Sequence, residues 1–131
     1  MVITDEIKQN ITELAQKHGL DLVVLFGSQA TGRIHQKSDV DIAFLSKIEV
    51  DKAQLALQMD KVFKRGDTEV VNLANASPTL MRQVVLDGKL LYEREQGYFF
   101  RWKIYAIKIW METAWLRALG RKKLVEWAQH L

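Results

Sequence analysis

The 131-residue chain has no cysteine and a single proline. Without cysteine, disulfide staples, thiolate catalysis and cysteine-ligated zinc are excluded, and a reducing compartment is permitted. No stretch approaches the roughly 18 consecutive apolar residues of a membrane-spanning helix. Residues 1–17 carry charges throughout, unlike a secretory leader, so the expected location is the cytoplasm. Also missing are an internal repeat, a low-complexity tract and the G-x-x-x-x-G-K-[ST] phosphate-binding sequence. The histidines, His18, His35 and His130, lack metal-ligand spacing and are expected at the surface or in packing.

What is present is about one domain's length of chain with 48% hydrophobic residues, enough for a substantial core. The net charge of +3 is unevenly placed. Residues 1–92 hold 11 Lys+Arg against 12 Asp+Glu, whereas residues 93–131 hold 8 against 4. All four tryptophans (102, 110, 115 and 127) lie in the last thirty residues, so a near-neutral body precedes a basic, aromatic tail.

Thr4 is placed to cap a helix whose apolar positions Ile7, Ile11, Leu14 and Ala15 share one face, with Gly19 as its stop. "DLVVLFGS" reads as a buried strand, "DVDIAFLS" as a second and "TEVVNLA" as a third, with an amphipathic helix over "KAQLALQMDKVFK" between the last two. Ser77-Pro78 supplies an N-cap and a first-turn proline for "TLMRQVVLDG", which Gly88 ends, and a short "KLLY" strand follows. This order predicts an α/β (α+β) fold, a small mixed sheet of about four strands with packed helices.

From Glu95 the pattern becomes one long helix to about Leu119, before Gly120. Arg101, Lys108 and Glu112 form a polar stripe, and nearly everything else from Phe99 to Leu119 is apolar. A helix apolar around most of its circumference needs cover on more than one side, and one small sheet cannot supply it all. Two readings stay open, a core helix lying across the sheet and a surface for a partner or for self-association. The division expected is a body over residues 1–93 and a helical extension over 94–131.

The chemistry-bearing stretch is "FGSQATGRIHQKSDVDIAF". Residues i and i+2 of a strand point to one face, about 6.6 Å apart along the backbone, so Asp39 and Asp41 set two carboxylates side by side. Two anions so placed repel, and the arrangement is tolerable mainly with a cation between them. Oxygen ligands on a rigid strand suit Mg²⁺, which completes its shell with water and phosphate oxygens, so a phosphate compound is the implied substrate. Gly27 lets the backbone approach a bulky anion, and Ser28 offers a hydroxyl and an amide where phosphate is favoured. Chance supplies Gly-Ser, ten residues, then Asp-x-Asp roughly once per hundred thousand start positions.

This GS-x10-DxD stretch resembles the signature of the nucleotidyltransferase superfamily that includes DNA polymerase β. The short chain, "VVNLANASPTL" and "LDGKLLYE" are similar to its minimal nucleotidyltransferases, the antitoxin half of HEPN/MNT toxin–antitoxin pairs. The resemblance spans about residues 7–93. It implies that Gly27 and Ser28 hold the nucleotide's phosphates and that Asp39 and Asp41 ligate two Mg²⁺ ions. It also implies a third carboxylate on the next strand, in a pattern like V-D-L-V-D-L. Glu69 falls on the first acidic position, as third ligand or general base, with Asp67 as the fallback; Asn72 falls on the second, where the carboxylate is absent. Arg33 and Lys37 are candidates for neutralising triphosphate charge.

The function so implied is Mg-dependent transfer of AMP from ATP to a hydroxyl, a tyrosine of the partner HEPN ribonuclease, whose modification silences it. The aromatic tail has the composition of a protein-docking surface. The alternative is a non-catalytic antitoxin that neutralises by binding alone. A third reading, nucleic-acid binding through Arg117, Arg121, Lys122 and Lys123 with stacked Trp rings, is weaker, because charge at chain ends is usually solvated.

Overall fold

A computed structural model describes residues 2–27 and 40–130 of the chain. Helix α1 (Asp5–His18) starts at Thr4, whose Oγ1 accepts from the Ile7 amide at 3.2 Å. It ends at Gly19 in the left-handed region (φ 69°), with the Gly19 amide donating to the Ala15 and Gln16 carbonyls. Acidic Asp5 and Glu6 in the first turn and basic Lys17 and His18 in the last suit the helix dipole. His18 hydrogen-bonds the Gln58 side chain, tying α1 to α2 (Lys52–Phe63), a packing role as expected.

Strands β1 (Leu22–Phe26), β2 (Val40–Leu45), β3 (Thr68–Asn72) and β4 (Lys89–Glu93) form one sheet in the order β3-β2-β1-β4. The β1–β2 and β1–β4 pairs are antiparallel, and β2–β3, joined through α2, is parallel. Central β1 is buried at every residue, which is why its sequence is a continuous apolar run rather than an alternating one. Val23, Leu25, Ile42 and Phe44 face a core shared with Ile11 of α1 and Leu55, Met59 and Phe63 of α2. Leu22, Val24, Phe26 and Ala43 face a second core, completed by α3 (Pro78–Asp87) and α4 (Tyr98–Glu112). The result is an α/β fold with helices on both faces of a four-stranded mixed sheet, as the element order predicted. A 3₁₀ turn over Leu73–Asn75, unmarked in the sequence reading, links β3 to α3, and Ser77 caps α3 through the Leu80 amide.

The C-terminal helical segment is present but jointed. Gly97 (φ 88°) precedes α4 and has no side chain to cap it, so the Glu93 carboxylate at the end of β4 accepts from the Gly97 and Phe99 amides at 3.2 and 3.0 Å. Phe99, Trp102 and Ala106 then enter the second core, with the Phe99 and Trp102 rings stacked 6.2 Å apart. The helix does not run unbroken to Leu119. It stops at Thr113 and resumes as α5 (Ala114–Gln129), which passes through Gly120.

The break has a chemical cause. In an unbroken helix the Trp110 carbonyl would accept from the amide four residues on. Here it takes hydrogen bonds from the Arg117 guanidinium at 2.7 Å and the Thr113 hydroxyl at 3.2 Å, and Thr113 also bonds the Ile109 carbonyl. Side-chain competition of this kind bends helices, whereas a lone glycine in a helix interior costs only about 1 kcal/mol and need not stop it. No residue of α5 is buried, and among the described residues no helix is long and apolar enough to cross a membrane.

Candidate active site

Three of the residues singled out by the sequence meet at the β1–β2 end of the sheet. Gly27 follows β1 with φ 78°, a conformation that side chains rarely adopt. A Cβ there would lie 2.5 Å from Oδ2 of Asp41, so the Asp41 carboxylate rests directly against the Gly27 backbone. The antiparallel register that pairs Phe26 with Asp41 creates this contact. The sequence suggested that glycine admits a bulky anion, and one anion it admits is the chain's own carboxylate.

The parallel register pairs Asp41 with Glu69. Paired positions on adjacent parallel strands share a face, and neighbouring strands lie about 4.8 Å apart. That face also carries Ala43, Leu45 and Val71, which pack toward α3 and α4. Asp41 is half-buried and Glu69, on the edge strand, is exposed, so the pair is anchored on one side and open on the other. Asn72, three residues beyond Glu69, falls on the opposite face by strand alternation. Its Oδ1 accepts from the Ala74 amide at 3.0 Å, capping the 3₁₀ turn. The position lacking a carboxylate is therefore not on the face that bears Asp41 and Glu69.

Asp67 is engaged elsewhere. Arg65 holds both of its oxygens, with Nε to Oδ1 at 2.8 Å and Nη2 to Oδ2 at 2.7 Å. The same hydrogen-bonded guanidinium keeps the Asp67 carboxyl below its ordinary pKa. Ser28, Arg33, Lys37 and Asp39 lie outside the described residues. Among the described residues no group of three acidic or histidine side chains comes together. Asp41 and Glu69 make two oxygen donors, a set suited to a hard cation such as Mg²⁺ when a further oxygen ligand joins them.

Arg117, expected as a candidate phosphate contact, is turned inward. Its guanidinium sits 3.2 Å from the Trp110 ring centroid and bonds Thr113 and the Trp110 carbonyl, leaving Arg121, Lys122 and Lys123 as the exposed basic cluster of α5. The spacing of Trp110 and Arg117, two turns apart, was the signal for this stack. Nothing local in the sequence marked the reach of Glu93 across to the start of α4.

The four-stranded mixed sheet thus carries carboxylates in register on β2 and β3, beside a left-handed glycine at the end of β1. The family model for polymerase beta nucleotidyltransferases matches residues 9–97, and the chain belongs to that family. Protein adenylyltransferase MntA of Shewanella oneidensis is 38% identical over 80 residues, covering 59% of this chain and 57% of that protein. MntA of Aphanizomenon flos-aquae is 33% identical over 94 residues, covering 61% of each. The chain thus spans less than two thirds of the length of these curated relatives. Among solved structures, a toxin–antitoxin crystal structure with AMP-PNP superimposes with a TM-score of 0.74 at 28% identity, over 89% of this chain and 98% of that one. A structure of a tri-AMPylated Shewanella oneidensis HEPN toxin in complex with MNT antitoxin superimposes with a TM-score of 0.68 at 27% identity, over 90% and 96%.

Proposed function

We propose that this chain is a cytoplasmic nucleotidyltransferase that moves AMP from ATP to a tyrosine hydroxyl of a HEPN-family ribonuclease toxin and thereby acts as its antitoxin. The observation that carries the reading is the in-register pair Asp41–Glu69 beside the left-handed Gly27. The similarity to proteins named adenylyltransferases, and to an antitoxin complexed with an AMPylated toxin, supports it. In this reading residues 1–93 form the transferase body and residues 94–131 a helical extension toward the partner.

The acceptor oxygen forms a bond to the α-phosphorus as the bond to the bridging oxygen breaks, and pyrophosphate leaves in line. Gly27, through its backbone, and Ser28, through its hydroxyl and amide, hold phosphate oxygens at the end of β1. Arg33 offsets triphosphate charge. Glu69, exposed on the open side, takes or directs the acceptor proton while Asp41 is held in place against Gly27. Mg²⁺, two ions in this reading, would be held by Asp39, Asp41 and Glu69, and would supply Lewis-acid charge at the phosphates and at the attacking hydroxyl.

The test is to incubate the protein with the HEPN protein encoded by the neighbouring gene, labelled ATP and Mg²⁺. Label is expected on the toxin, with loss of its ribonuclease activity, and Asp39→Asn and Asp41→Asn are expected to lower transfer by at least a hundredfold while the fold is kept. Inhibition without label would overturn the enzymatic reading in favour of neutralisation by binding.

A further inference from the structure

Trp110, in the last turn of α4, has a guanidinium set against it from each of two neighbouring helices. That of Arg117, on α5, lies 3.2 Å from the ring centroid, and that of Arg82, on α3, lies 5.3 Å from it. Arg121, one turn beyond Arg117, joins Trp110, Arg117, Gly120 and Leu124 in lining a concavity of about 530 Å³ in the elbow between α4 and α5. A space of that size is of the order that small-molecule sites occupy.

The cations of this elbow are gathered without acids. The ion pairs of α4 go elsewhere, Arg101 to Glu95 and Lys108 to Glu112, and among the described residues no carboxylate pairs with Arg82, Arg117 or Arg121. Like charges at i and i+4, as at Arg117 and Arg121, destabilise a helix. Attraction to the indole face holds a guanidinium in place without neutralising its charge. A concave surface of one sign over an apolar wall concentrates the opposite ion, and the planar fork of arginine matches phosphate in particular.

The remaining lining says what the anion carries. Leu124, Gly120 and the Trp110 ring form an apolar floor, and no atom stands within 4 Å of where a Gly120 Cβ would be, so a flat group has room above it. Arg117 is already stacked on Trp110, and guanidinium planes and aromatic rings are the surfaces on which bases stack. Its hydrogen bonds to the Thr113 hydroxyl and the Trp110 carbonyl fix it before any ligand arrives, which lowers the ordering cost of binding. A protein carboxylate would answer the charge of Arg121 but leave the floor uncovered; a base joined to a phosphate answers both.

We infer that the α4–α5 elbow is a binding site for a nucleoside phosphate, with the phosphate on Arg121 in the added field of Arg117 and Arg82 and the base over Leu124 and the Arg117–Trp110 stack. None of these residues belongs to the proposed transfer site on the sheet, so the inference stands apart from that reading. Because no residue of α5 is buried, a ligand seated in the elbow also ties this helix to the body.

The test is a titration of the full 131-residue chain with AMP in Mg-free buffer, followed by amide and indole N–H nuclear magnetic resonance, with the Trp110 indole assigned through Trp110→Phe. AMP is expected to move the Trp110 indole signal and the Gly120 and Leu124 amides saturably, and adenosine, which lacks the phosphate, is expected to leave them still. Arg121→Gln, at an exposed side chain, should weaken AMP about tenfold with the far-UV circular dichroism unchanged. Arg82→Gln should weaken it by a smaller factor that shrinks as salt is raised. Unmoved elbow signals, or equal affinity in both variants, would overturn the site. Inorganic phosphate binding as tightly as AMP would show that the base takes no part, and the nucleoside assignment would fail. If AMP shifts only the amides around Gly27 and Asp41, the nucleotide goes to the sheet alone and the inference fails while the proposed function gains. If the elbow signals ignore AMP and move when the HEPN toxin is added, the cluster is a protein contact and the inference fails.

Discussion

Replacing Gly27 by alanine probes the site and its steric basis together. At φ 78° an L side chain costs about 1–2 kcal/mol in backbone strain. The new Cβ would also stand 2.5 Å from Oδ2 of Asp41, well inside contact distance. Because that oxygen is the tip of a side chain, the cheaper response is for Asp41 to swing away, adding about 1 kcal/mol of repacking. The expected cost of Gly27→Ala is therefore about 2–3 kcal/mol, and in an Asp41→Ala background it should fall to the backbone part, about 1–2 kcal/mol. Urea unfolding of the four members of this cycle reads the difference as a coupling energy. Displacing Asp41 should also lower the proposed AMP transfer far more than the stability loss accounts for. Equal costs in both backgrounds would refute the contact. A stabilising Gly27→Ala would refute the left-handed conformation, since glycine-to-alanine changes at permissive positions stabilise by about 0.4–1 kcal/mol.

Arg94→Ala should destabilise by about 1–3 kcal/mol in urea unfolding, because it strips the 2.9 Å ion pair from Asp21, a carboxylate only 3% exposed whose other oxygen has no partner among the described residues. Burial, reinforced by the Asp21 charge, pushes the Tyr98 phenol above its ordinary pKa. Its neutral form contributes stability in full below the ordinary tyrosine value of about 10 and loses it as pH rises through the higher folded-state value. Tyr98→Phe should accordingly flatten the decline in urea midpoint above about pH 10. Arg117→Ala removes both guanidinium hydrogen bonds at the α4–α5 joint and its stacking on Trp110. Amide exchange should quicken across residues 110–117 while amides of β1 and β2 keep their protection.

Local signals were the legible ones. Thr4, Gly19 and Ser77-Pro78 act on amides or carbonyls within four residues, so their effect is written in the neighbouring letters. The continuous apolar run of β1 likewise announced a strand covered on both faces. Gly120 misled for the converse reason: a glycine ends a helix only when the surrounding hydrogen bonds favour stopping, and at Thr113 the deciding bonds come from Arg117, one turn further along the chain. The exposed outer face of α4 was half legible. Its excess of apolar residues showed that one sheet could not cover it, but which residues stay uncovered depends on how the helix is rotated against the core.

By itself the sequence determined the element order, the helix caps, the absence of thiol chemistry and the pairing of a Gly-Ser turn with an Asp-x-Asp strand at fixed spacing. Each of these follows from short-range sterics, local hydrogen bonding or the two-residue period of a strand. Only the tertiary structure decided that Asp41 stands beside Glu69 and that Asp41 rests against the Gly27 backbone. Those facts depend on strand register between segments up to some thirty residues apart, and register is set by the packing of whole faces into two cores, a property that no local stretch of the chain contains.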